Sequence, residues 1–207
     1  MSYKGKTKSK LHNSAEGYNL YAEKYDESQK FLNSFEKGQL FSLMGDLKGK
    51  KVLDVGCGTG RLIGELKLFG ADIVACDVSS EMLKITKKKY PAVETVEAVI
   101  EDLPFEDKTF DVVIATFMIV HLKFLERAFE EVYRVLKDGG VFILTNINQR
   151  KAPKLKTNEG EIVISSFYHR PEDVLKVLDG NFFDIDKNEM IMEGKMWINQ
   201  IVRAVKK

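Results

Sequence analysis

Short apolar runs alternate with stretches whose apolar positions recur every three or four residues, and from about residue 50 this predicts strands and helices in turn. Lys51 to Val55, Asp72 to Cys76, Val93 to Val99, the run opening at Phe110 and Gly140 to Ile147 read as strands. Helices are expected over Arg61 to Phe69, Ser80 to Lys89 and Lys123 to Lys137, the last with Leu125, Phe129, Val132 and Leu136 on one stripe. Ser79 or Ser80 can cap the second of these, and Pro91 ends it. Ahead of the core, Ser14 to Asp26 and Phe31 to Gly45 read as two helices. Beyond it, a lysine-rich connection from Asn148 to Glu159 leads through Ile162 to Tyr168 to a helix opening at Pro171, with Glu172 and Asp173 behind the proline. Two strand-like runs close the chain, Phe182 to Met192 and Met196 to Val205. The link between them, Glu193-Gly194-Lys195, is too short for anything but an antiparallel pair, since a parallel neighbour needs a crossover of about a dozen residues.

At 207 residues the chain sits near the upper end of a single-domain size of about 100 to 200 residues, so one core is expected. Hydrophobic residues make up 44% and charged residues 30%, and no uncharged apolar stretch approaches the ~20 residues of a membrane span. Residues 1–19 are lysine-rich and polar, unlike a secretory leader, and a cytoplasmic location is expected. Cys57 and Cys76 stand alone, without a C-x-x-C pair or clustered histidines, so neither a disulfide framework nor a metal site is expected. A net charge of +1 leaves no overall electrostatic case for nucleic acid. Lys4, Lys6, Lys8 and Lys10 are a local exception, read as part of a flexible basic tail over 1–13.

Val52-Leu53-Asp54-Val55-Gly56-Cys57-Gly58-Thr59-Gly60-Arg61 carries the chemistry. Glycines at alternate positions let the backbone turn tightly enough for a ligand to touch it, and the amide groups of the next helix can receive a carboxylate or phosphate. A dinucleotide fingerprint, G-x-G-x-x-G, would need its third glycine at position 61, where this chain has arginine. Asp77 ends the second strand at the place where an acid can accept both ribose hydroxyls. Nicotinamide enzymes share that feature, about 20 residues beyond their glycines.

The string D-V-G-C-G-T-G resembles motif I of the class I S-adenosylmethionine (SAM)-dependent methyltransferases. Four later segments agree in order and distance: Ala71 to Asp77, Val99 to Phe105, Phe110 to Phe117 and Leu136 to Leu144. The resemblance implies an α/β fold with a Rossmann-like, seven-stranded, mostly parallel sheet whose last strand is antiparallel, helices on both faces and an N-terminal helical lid. It divides one domain over 14–207 into a lid (14–46), a SAM-binding core (50–147) and a C-terminal helix with an antiparallel strand pair (148–207). It assigns the methionine end of SAM to the Asp54, Gly56, Cys57, Gly58 and Gly60 loop and the ribose to Asp77. The adenine goes to Asp102, with Glu101 beside it and Leu103 supplying an amide, and Val78 and Met82 form apolar walls. Thr116 and Phe117 should face the reacting methyl, with S-adenosylhomocysteine as the product. Tyr18-Asn19-Leu20-Tyr21-Ala22-Glu23-Lys24-Tyr25-Asp26 resembles the lead helix of ubiquinone/menaquinone-biosynthesis-like members. There Tyr25 or Tyr18 would close over the SAM carboxylate.

His121 is the candidate base, set against a structural or substrate-orienting role, which is the commoner case because many methyl transfers need no base. Met118, Phe167, Tyr168 and His169 are candidates for the acceptor pocket, and His12 receives no role. Ala115-Thr116-Phe117-Met118 is not the N/D-P-P-Y/F of adenine or glutamine amino methyltransferases, and neither cysteine follows a proline. What remains is the oxygen, carbon, nitrogen or sulfur of a small molecule, handled by a monomer or homodimer. An RNA or protein acceptor rests on the basic tail and Lys151, Lys154 and Lys156. A non-catalytic SAM-binding subunit is the third reading, and nicotinamide-dependent oxidoreduction the last.

Overall fold

The computed structural model describes residues 9–36 and 38–207. Lys4, Lys6 and Lys8 of the expected tail lie outside them. A short strand, β1 (Lys10–His12), precedes α1 (Ser14–Tyr25), whose Asn13 cap accepts the Glu16 N–H at 2.9 Å. A single turn at Asp26–Ser28 leads to α2 (Gln29–Ser34) and α3 (Gln39–Ser42). The one helix expected over Phe31 to Gly45 is therefore broken. Gly38 adopts a left-handed φ of 75°, which no α-helix can pass through, and the break buries Leu40 while leaving Phe31 65% exposed.

The core then alternates as expected: β2 (Lys51–Val55), α4 (Ile63–Leu68), β3 (Asp72–Asp77), α5 (Ser80–Lys89), β4 (Glu94–Glu97), β5 (Phe110–Ala115), α6 (Glu126–Val135) and β6 (Leu136–Ile147). Ser79 caps α5, its hydroxyl accepting the Met82 N–H at 3.2 Å. After β7 (Lys154–Thr157) and β8 (Gly160–Ile164), Pro171 opens α7 (Pro171–Gly180), and β9 (Phe183–Glu193) and β10 (Met196–Lys206) finish the chain.

The main sheet has the order β4-β3-β2-β5-β6-β10-β9, parallel from β4 to β6, with β10 antiparallel to both neighbours. Because side chains alternate across a strand, Leu53, Val74 and Val113 meet Phe129 and Val132 of α6 and Val174 and Leu178 of α7 on one face. Val52, Ala75 and Ile114 meet Leu40 of α3 and Ile63 and Leu66 of α4 on the other. Strand order reverses beside β2, since β3 lies on one side and β5 on the other. A crevice outside the carboxyl ends of the strands follows from that reversal.

A second sheet, β1-β8-β7, was not expected. Lys10–His12 pair in parallel with Ile162–Ile164, and Lys154–Thr157 pair antiparallel with β8. The tail read over 1–13 thus becomes a strand at Lys10, and the lysine-rich connection holds another. Helix α1 packs on this sheet so closely that a Cβ at Gly17 would stand 2.5 Å from Cγ1 of Ile164. On its other side, Ser79 Oγ donates to Asn19 Oδ1 at 2.7 Å, tying α1 to the start of α5. Among the described residues no helix is long and apolar enough to cross a membrane.

Candidate cofactor and acceptor site

Where β2 ends, Gly56, Gly58 and Gly60 all take left-handed φ values, of 70°, 56° and 81°. Side chains rarely adopt this conformation, and at Gly56 a Cβ would also lie 2.7 Å from Cβ of Met118. The loop is clamped to the neighbouring strand. The N–H groups of Gly56 and Cys57 donate to the Cys76 carbonyl at 2.8 and 3.0 Å, and the Gly58 N–H donates to Asp77 Oδ2 at 2.8 Å. Asp77 Oδ1 accepts the Ser79 N–H at 2.9 Å. Burial holds the Asp77 carboxyl above its ordinary range, against these backbone bonds, which pull it down.

Asp54, at the end of β2, is 2% exposed, and its Oδ2 has no hydrogen-bond partner among the described residues. Burial pushes its pKa up to about 7, opposed by Arg61 and reinforced by Asp77 and Glu36. Arg61 occupies the position a third dinucleotide glycine would take. Its guanidinium donates to both oxygens of Glu36 at 2.8 and 2.9 Å, to Asn33 Oδ1 at 2.9 Å and to Thr116 Oγ1 at 3.1 Å, and lies 5.0 Å from the centre of the Phe117 ring. Both charged side chains of this pair are buried. The sequence reading gave neither Arg61 nor Glu36 a role. The signal was an arginine closing the glycine loop, but its partner stands in a segment with no motif.

A cavity of about 80 Å³ opens at the carboxyl ends of β2, β3 and β5. Gly56, Gly58, Asp77, Val78, Met82 and Glu101 line one side and Thr116, Phe117, Met118 and His121 the other, while Tyr18 and Tyr25 of α1 close over it. Ser14, Val55, Ala98, Ile100 and Leu122, which the sequence reading did not single out, complete the wall. Tyr25 rests on the glycine loop, with its ring edge 3.4 Å from where a Gly58 Cβ would stand. Small-molecule sites run to about 300 Å³ and more, so a ligand with a nucleoside must displace part of this closure. Phe117 holds an uncommon φ of 57°, pinned by its N–H, which donates to the buried Thr145 hydroxyl at 2.8 Å.

Several expected residues stand elsewhere. Asp102 is exposed and does not line the cavity, and the Leu103 N–H is taken by Glu131 Oε2 at 3.0 Å. A turn in which the Asp102 N–H donates to the Val99 carbonyl makes Glu101, one residue earlier, the acid on the cavity wall. Cys57 and Gly60 belong to the loop but do not line the cavity, and burial pushes the Cys57 thiol well up. Phe167, Tyr168 and His169 also lie off it. The Phe167 N–H donates to the Val120 carbonyl, Tyr168 faces Trp197 and Arg150, and His169 Nε2 is 2.9 Å from the Leu122 carbonyl. Phe167 and His169 hold the 119–122 turn from outside.

His121 is brought to Tyr18. Its Nδ1 lies 2.9 Å from the Ser165 carbonyl, which can only accept, so Nδ1 carries the proton. Nε2 is then an acceptor, and Tyr18 donates to it at 2.7 Å. Burial lowers the His121 pKa and raises that of Tyr18, which keeps both neutral at neutral pH.

Residues 53–144 match the family described as a methyltransferase domain. That likeness to a methyltransferase domain covers a little under half of the chain. Its strand order is shared with solved structures such as an S-adenosylmethionine-dependent methyltransferase from Mesorhizobium loti. That protein superposes with a TM-score of 0.72 at 17% identity, over 84% of this chain and 100% of that one. A demethylmenaquinone methyltransferase of Chlorobaculum tepidum is 44% identical over 91 residues, 44% of this chain and 38% of the relative. Another from Staphylococcus aureus is 35% identical over 146 residues, 65% of this chain and 60% of the relative. The matched stretches span less than two thirds of either relative.

Proposed function

We propose that the chain transfers a methyl group from SAM to a small-molecule acceptor. One observation carries this reading: a left-handed glycine loop and an anchored strand-end carboxylate line one crevice, and Asp54, which does not line it, holds an unpartnered buried oxygen at the end of the strand that leads into that loop. These residues fit the cofactor. Asp77 keeps free lone pairs for ribose hydroxyls, Asp54 can take an ammonium group, and the glycines leave their backbone open to contact. Val78, Met82, Ala98 and Ile100 offer apolar walls to a purine, with Glu101 as the acid beside them.

The bound cofactor supplies a methyl group already activated on a sulfonium centre. The chain's own part is then to align, to exclude water and to take up a proton. Tyr18 and Tyr25 exclude water, and Thr116, Phe117 and Met118 shape the acceptor side. Unprotonated Nε2 of His121 supplies the base where an acceptor hydroxyl or amine must lose a proton. The demethylmenaquinone methyltransferases among the relatives direct attention to acceptors of the quinone kind. An RNA acceptor loses part of its support, because Lys154 Nζ is tied to Glu161 at 2.6 Å. The two free buried cysteines fit a cytoplasmic protein, acting as a monomer or homodimer.

Calorimetry with SAM, S-adenosylhomocysteine and NAD tests the reading. The first two should bind and NAD should not. Binding of NAD without binding of SAM would overturn it.

A further inference from the structure

We propose that Glu36 is an internal stand-in for a ligand carboxylate on Arg61. When the methionine end of SAM enters, Arg61 passes from Glu36 to the incoming carboxylate, and helix α2 is released from the glycine loop. The inference rests on the cofactor reading above.

Arg61 is a buried cation at the rim of the cavity. It donates to Thr116 and covers the ring of Phe117, both of which line that cavity, and its charge reaches Tyr25 and Asp54. Beside it, Asp54 Oδ2 is buried and unpartnered among the described residues. A cation with an exchangeable carboxylate and an anion with an empty lone pair together match a free α-amino acid, whose carboxylate and ammonium stand on one carbon. The amino-acid end of SAM has that chemistry.

The stretch just before Glu36 is held lightly, while α3 beyond it is anchored by the buried Leu40. Helix α2 buries none of its residues, and its exposed Asn33 also binds Arg61. Asn199 Nδ2 donates to the Phe35 carbonyl at 3.3 Å, a long bond. The bidentate Glu36–Arg61 pair is therefore the chief polar tie between this segment and the glycine loop. Losing it outright would strand a buried guanidinium, which is costly, whereas exchange of one carboxylate for another leaves Arg61 paired throughout. A cavity of about 80 Å³ also requires that something give way before a ligand enters.

The test compares SAM with 5′-methylthioadenosine, which carries the same nucleoside and no amino acid. In the wild-type protein, hydrogen exchange of amides over 29–36 should speed up with SAM and stay unchanged with 5′-methylthioadenosine. By calorimetry, Glu36→Gln should tighten SAM severalfold, and Arg61→Met should weaken it roughly tenfold or more. Neither substitution should move the affinity for 5′-methylthioadenosine, a result that also shows the variants folded. Protection of 29–36 by SAM, or equal shifts for both ligands, would overturn the exchange of partners while leaving the cofactor reading standing. Failure of the wild type to bind either ligand would remove the cofactor reading and this proposal with it.

Discussion

The backbone N–H of Gly58 donates to Asp77 Oδ2 at 2.8 Å, so the acid we propose for a ribose also fixes the loop we propose for the rest of the cofactor. One side chain serves two neighbouring elements. Asp77→Ala removes a ligand contact and leaves the N–H groups of Gly58 and Ser79 without their acceptor. Affinity for SAM should fall about tenfold or more, and the melting temperature should fall too, since each stranded buried donor costs about 1–3 kcal/mol. Calorimetry and thermal melts on one preparation check this. An unchanged dissociation constant would take Asp77 out of the site.

Asp54 should make the free protein less stable as pH rises. Its folded pKa of about 7 lies above the ordinary aspartate value of 3.8, so the native state holds the extra proton between them. The stabilisation is complete below about pH 4 and is lost as pH rises through about 7. Asp54→Asn should abolish this slope and raise stability at pH 8 by up to about 4 kcal/mol, while weakening SAM because the ammonium loses its charged partner. Denaturant unfolding from pH 5 to 8 reads the first effect and calorimetry the second. Parallel slopes for variant and wild type would refute the assignment.

His121 should stay neutral, with its proton on Nδ1, to a pH below the ordinary imidazole midpoint, because burial lowers its pKa and Tyr18 occupies Nε2. Here the native state binds fewer protons than the unfolded one, so this group's contribution to stability is lost as pH falls below 6.5. Tyr18→Phe removes the donor that favours the neutral ring, and the His121 midpoint should move up. Nitrogen-15 NMR of the imidazole reports both tautomer and midpoint. A proton found on Nε2 in the wild type would reverse the direction assigned to the Tyr18 bond.

Gly17 lets α1 seat on the second sheet. Gly17→Ala should cost about 1–3 kcal/mol through contact with Ile164, outweighing the gain of about 1 kcal/mol in helix propensity. The pair Gly17→Ala with Ile164→Ala should recover part of the loss, because the second change vacates the space the methyl needs. A double-mutant cycle in urea measures the coupling. Additive losses would mean that the helix does not bear on Ile164.

The sequence alone carried what short-range physics decides. Period-two and period-three-to-four patterns placed the core strands and helices, Ser79 and Pro171 marked where two helices begin, and the spacing of Gly56, Gly58, Gly60 and Asp77 pointed to a cofactor seat. Those features depend on neighbours within one or two turns of chain, so the residues declare them. Other contacts join residues that share no local pattern. The Arg61–Glu36 pair spans 25 positions, the Tyr18–His121 bond 103, and β1 meets β8 across most of the chain. At the adenine wall, the choice of Glu101 over Asp102 turned on which way one turn faces, and both acids satisfy the motif equally well. Only the folded chain, by bringing distant groups out of water together, gave each of them its partner.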